Sequence, residues 1–106
     1  MNALGFSVNV RKNGATSEVS VTGDLDLVTA PELSAALNEA VQHCSAESLI
    51  LDLSGITFMD SSGLRVLLRT ADACKSTGVF LYLTGVTPQI QKLLTLAGVA
   101  EWFDYA

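Results

Sequence analysis

Apolar and polar positions alternate at the start of the chain: Phe6, Val8 and Val10 against Ser7, Asn9 and Arg11. A period of two predicts a strand with one buried face. Lys12-Asn13-Gly14-Ala15 carries an Asn-Gly turn signal, and Val19 and Val21 then resume the alternation. These two strands should form an antiparallel hairpin. Gly23-Asp24-Leu25-Asp26 ends the second strand. From Thr29 the period becomes helical, with Leu33, Ala36, Leu37, Ala40, Val41 and Cys44 on one stripe. Thr29 and Glu32 read as a capping box, with Pro31 in the first turn, where its missing N–H costs nothing.

Leu49 to Leu53 is nearly continuous in apolar residues, which predicts a strand buried on both faces. A strand, a helix and another strand imply parallel pairing through a right-handed crossover. Ser54-Gly55 breaks the regular structure, and Ile56 to Met59 carry the chain to Asp60. A second helix runs from Ser61 or Ser62 to Thr77. Its buried stripe is Leu64, Leu67, Leu68, Ala71 and Cys74, with Arg65, Arg69 and Asp72 on the other side. Gly78 stops it. Val79 to Leu83 is another buried strand. Thr87 and Pro88 open a third helix with core face Ile90, Leu93, Leu94 and Ala97, ended by Gly98. Residues 100–105 close the chain as a short edge strand, with Trp102 and Phe103 packed on the core.

At 106 residues the chain reads as one α/β domain spanning its whole length. Apolar residues make up 49%, enough for a real core. No apolar run is long enough to span a bilayer and no secretory leader precedes Phe6, so Met1 reads as the start of a cytoplasmic protein with no membrane contact. Six Lys and Arg are scattered among eleven acids, for a net charge of −5. That balance excludes a nucleic-acid binder and suits protein partners. Cys44, Cys74 and the only histidine, His43, are too few for a structural metal site. Both cysteines fall on apolar helix faces and read as core, so no metal or other cofactor is expected.

The chemistry concentrates in Asp60-Ser61-Ser62-Gly63. This run opens a helix just past the end of a buried strand, on the rim that α/β sheets use for function. One such residue suffices for a cap worth about 1 kcal/mol. Here there are three, followed by a glycine that costs about 0.5–1 kcal/mol inside a helix unless something approaches closely. The residues alone leave cap and site evenly balanced. Asp24 and Asp26 read either as loop solvation or as an acidic patch on the same rim. A serine hydrolase elbow would need glycine where Met59 stands, and His43 falls at the far end of another helix. No phosphate-binding loop or nearby lysine supports nucleotide chemistry. The chain can accept a phosphoryl group but not supply one. A phosphate at Ser61 would sit on free N–H groups and a positive dipole end, adding a charge of about −1.5 to −2. About 6 Å from a partner carboxylate it would repel by roughly 1–5 kcal/mol, ten- to a thousandfold in affinity.

Two segments carry a family resemblance. One is Gly23-Asp24-Leu25-Asp26 with Thr29-Ala30-Pro31-Glu32-Leu33. The other is Leu51-Asp52-Leu53-Ser54-Gly55 followed by Phe58-Met59-Asp60-Ser61-Ser62-Gly63-Leu64. Together with Leu93-Leu94 and Gly98 they resemble a STAS domain of the bacterial anti-sigma factor antagonist type. The resemblance implies a mixed four- to five-stranded sheet with helices packed largely on one side. It also implies partner switching. The unphosphorylated antagonist binds an anti-sigma factor with serine kinase activity and frees a sigma factor. The kinase then inactivates it by phosphorylating the serine after the aspartate, and a metal-dependent serine phosphatase restores it. By position the acceptor is Ser61, flanked by Asp60 and Ser62, and Asp26 matches the family's rim acid. Asp24 stands where glutamate is frequent. The expected partner-binding set is Asp24, Asp26, Asp60, Ser61, Ser62, Gly63 and Arg65, while Arg69 faces either the partner or solvent. The rival reading is a STAS subunit of a transporter ATPase or signalling scaffold that is never phosphorylated.

Overall fold

A computed structural model describes residues 5–42 and 47–106. The chain runs β1 (Ser7–Asn13), β2 (Thr16–Leu25), α1 (Ala30–Gln42), β3 (Ser48–Met59), α2 (Ser61–Thr77), β4 (Phe80–Thr84) and α3 (Pro88–Leu96). A short 3-10 turn (Ala100–Trp102) and β5 (Asp104–Tyr105) follow. The five strands lie side by side in chain order. β1 and β2 are antiparallel, from Ser7 opposite Thr22 to Asn13 opposite Thr16, as the turn signal predicted. The remaining neighbours pair in parallel, and each parallel link passes through one of the helices.

Burial alternates along every central strand. Val19, Val21, Leu49, Leu51, Leu53, Leu81 and Leu83 point into the core, while Glu18, Ser20, Ile50, Asp52 and Tyr82 are half-buried on the other face. The expectation of strands buried on both faces is therefore wrong. The buried residues of all three helices join the same core cluster, so the polar residues are left on the uncovered side. Dense apolar runs here reflect leucines on one face with a few apolar residues opposite them.

Ser54-Gly55 does not break β3, which continues to Met59. The register with β2 shifts twice instead, between Ser20 and Thr22 and between Gly23 and Asp24. A Cβ on Gly55 would lie 2.6 Å from Thr22 Cγ2 and 2.8 Å from the Val21 carbonyl oxygen. At each shift β3 carries the extra residue, and the glycine lets this bulged stretch lie against β2 without ending the pair.

Three other details depart from the pattern. Val10 is 49% exposed and Val8 half-buried, so the deep burial on this side comes from Phe6, just before β1. The core face of α2 is Gly63, Val66, Leu67, Thr70 and Cys74, with Leu64, Leu68 and Ala71 half-buried at its side. Thr70 is tolerated inside because its hydroxyl donates to the Val66 carbonyl at 2.8 Å. Phe103 packs on the core at 6% exposure as expected, but Trp102 is 65% exposed. The single turn before β5 presents neighbouring residues in different directions, so only one of the pair turns inward. His43 and Cys44 lie outside the described residues.

Candidate functional site

β2 and β3 finish together. Leu25 pairs with Met59 and Asp24 with Phe58, and the Asp60 N–H donates to the Leu25 carbonyl at 3.3 Å. The next residue begins α2. Asp60 holds extended backbone angles (φ −113°, ψ −167°), and its Oδ1 accepts the Ser62 N–H at 2.8 Å. One orphan donor of the first turn is satisfied in this way.

Asp60 is therefore the cap, and the serines are spare. Ser61 is exposed and Ser62 half-buried. Among the described residues neither hydroxyl has a hydrogen-bond partner. Gly63 is buried, and a Cβ there would meet Leu25 Cγ, Leu25 Cδ2 and Met59 Cγ, each at 2.8 Å. Its lack of a side chain lets the first turn of α2 sit down on the two strand ends. That packing turns Ser61 outward, and it explains the glycine without any ligand.

The two acids of the preceding loop differ in role. Asp24 is exposed, and its Oδ1 accepts the Thr57 hydroxyl at 2.6 Å. Asp26 is half-buried, and its Oδ1 accepts the N–H groups of Val28 and Thr29 at 2.9 and 3.1 Å. The Thr29 hydroxyl faces back into this loop, accepting the Asp26 N–H at 2.9 Å and donating to the Asp24 carbonyl at 2.7 Å. The capping hydroxyl anticipated from the sequence thus fastens the loop to the helix start. Asp26 acts first as the clasp of its own turn.

That clasp pushes Leu27 and Val28 into solvent, each 76% exposed. Phe58, beside Asp24 in the register, is 43% exposed. The rim around Ser61 therefore carries apolar side chains as well as carboxylates, which sequence reasoning missed. The available signal was a pair of apolar residues between Asp26 and Thr29 that belongs to neither the strand alternation nor the helical stripe. Arg65 and Arg69 are exposed on α2, four and eight residues after Ser61, on the same helix face.

This arrangement offers a solvent-facing hydroxyl on a positive dipole end, with no base held against it among the described residues. Nor do the described residues contain a cluster of three or more His, Cys, Asp or Glu able to hold a metal. No helix among them is long and apolar enough to cross a membrane.

The fold and this rim define a small α/β module with a mixed sheet and an outward serine at a helix start capped by Asp60. The STAS domain family model matches residues 7–105, and the chain belongs to that family, in its anti-sigma factor antagonist group. An anti-sigma F factor antagonist from Paenibacillus polymyxa is 32% identical over 96 residues, spanning 91% of this chain and 82% of the relative. The crystal structure of an anti-sigma factor antagonist from Mycobacterium paratuberculosis superposes with a TM-score of 0.85 at 28% identity, covering 99% of this chain and 89% of that one. The Bacillus cell fate determinant SpoIIAA in its phosphorylated form shares the fold, with a TM-score of 0.74 at 20% identity and 94% and 91% coverage.

Proposed function

We propose that the chain is a cytoplasmic partner-switching module, a single domain that binds an anti-sigma factor with serine kinase activity while Ser61 is unmodified. Binding releases the sigma factor. The kinase then transfers the γ-phosphoryl group of ATP to the Ser61 oxygen, ADP leaves, and the hydroxyl proton passes to the kinase's base. A metal-dependent serine phosphatase hydrolyses the ester and restores binding. The chain itself performs no catalysis, holds no cofactor, and engages neither nucleic acid nor membrane.

The observation that carries this reading is the free, exposed Ser61 hydroxyl at an N-terminus already capped by Asp60. Asp60 and the packing of Gly63 fix the height and direction of the serine. Leu27, Val28 and Phe58 supply exposed apolar area beside it, and Asp24 supplies an exposed carboxylate. Arg65, one turn on, stands where it can meet the partner or the new phosphate. The fold accommodates a phosphoryl group in SpoIIAA.

Incubation with candidate anti-sigma factor kinases and ATP, followed by mass spectrometry, tests the reading. A single phosphate on Ser61, absent in Ser61→Ala, is expected. A phosphate on Ser62 alone would move the site, and none with any kinase would overturn the reading in favour of an unphosphorylated STAS interaction subunit.

A further inference from the structure

The far end of α2 carries a second surface. A groove of about 690 Å³ lies between the last turns of α2, the start of β4 and the segment leading into β5. Leu81, Cys74 and Phe103 form its buried floor, and Phe80 and Trp102, each 65% exposed, stand at its sides. This volume falls within the range of pockets that bind ligands (about 300–1,000 Å³). Leaving an indole and a phenyl ring in water forgoes their burial, and an exposed apolar patch of this kind marks an interaction surface.

The charge around it is lopsided. Asp72 and Asp104 line the groove against one cation, Lys75. Glu47 is exposed at its edge, with its carbonyl accepting the Phe80 N–H at 2.9 Å. α2 also ends here, at Gly78, so its negative dipole end faces the same place. An acidic rim around an apolar floor with aromatic sides complements a helix with apolar residues on one face and lysines or arginines flanking them, with cation–π contact available at Trp102.

We propose that this groove seats a basic amphipathic helix of a protein partner, whatever the state of Ser61. Along α2 the groove's first carboxylate, Asp72, stands eleven residues after Ser61, about 16 Å at 1.5 Å per residue, roughly twice the Debye length of about 8 Å at physiological salt. A phosphate at one end therefore leaves the other unchanged. The groove gives a partner a hold that survives the switch.

Trp102 is the only tryptophan, so its emission reports the groove directly. The probe is a synthetic helical peptide of leucine and lysine in amphipathic order, titrated into the whole chain. A saturable blue shift is expected, equal in Ser61→Asp. In the double variant Asp72→Asn, Asp104→Asn the affinity should fall roughly three- to tenfold. In Phe80→Ser, shown to be folded by circular dichroism, it should fall further. No shift would overturn the proposal. So would equal binding of the same residues in scrambled order, or undiminished binding by the double variant. The assay needs no kinase, so its failure leaves the reading of Ser61 standing.

Discussion

The Asp60 carboxylate holds the Ser62 N–H at 2.8 Å, and in doing so frees Ser61 from any capping duty. Removing that carboxylate should cost stability without removing the acceptor. Asp60→Ala is expected to lose about 1 kcal/mol in urea denaturation, the usual worth of an N-cap. An unchanged midpoint would show that Ser61 or Ser62 can take over the cap.

Gly63→Ala sets two effects against each other. Alanine favours the helix by about 0.5–1 kcal/mol, but overpacking typically costs about 1–3 kcal/mol. The methyl would stand 2.8 Å from the Cγ of both Leu25 and Met59, branch points or mid-chain atoms that cannot simply swing aside. A net loss of roughly 1–2 kcal/mol is expected by denaturant melt. A more stable variant would contradict the packing account.

Trp102 and Phe103 are neighbours with opposite fates, 65% and 6% exposed. Phe103→Ala should destabilise by roughly 3–5 kcal/mol. Trp102→Ala should change stability by about 0.5 kcal/mol or less, as surface substitutions do. Thermal melts of the two variants separate these outcomes.

Burial pushes the Cys74 thiol up from its ordinary 9.0 to about 11. A raised acid favours the folded state fully below the unfolded value, and that advantage is lost as pH climbs toward the folded one. Between about pH 9 and 11, wild type should therefore lose stability that Cys74→Ala does not, as denaturant melts across that range would show. In a Cys44→Ser background, a thiol reagent should label Cys74 only after denaturant unfolds the chain.

Much of this was legible from residue order. The hairpin, the extent of α2, Gly78 as its stop and the Thr87-Pro88 start follow from local rules, because each depends on residues close in sequence. What was hidden depends on tertiary contact. The core face of α2 shifted from Leu64, Leu68 and Ala71 toward Val66 and Thr70, because Gly63 lets the helix settle on Leu25 and Met59. β3 passed through Gly55 because it bulges there against β2, where only a glycine fits. Of the site, Asp60-Ser61-Ser62-Gly63 stood out by composition, and the family resemblance chose between the serines. The loop-clasping role of Asp26 and the exposure of Leu27, Val28 and Phe58 required the folded rim.

Substitution at Ser61 should separate charge from shape. Ser61→Ala removes only an unpartnered hydroxyl and should bind the anti-sigma factor like the unmodified chain. Ser61→Asp adds half or more of a phosphate's charge and should bind more weakly. Equal binding in a pull-down or by calorimetry would remove electrostatic repulsion from the mechanism.

The most direct test compares the affinity of the anti-sigma factor kinase for this chain before and after stoichiometric phosphorylation at Ser61, by calorimetry at one ionic strength. The phosphorylated chain should bind roughly ten- to a thousandfold more weakly, with its circular dichroism unchanged. Equal affinities for the two forms would contradict the switch.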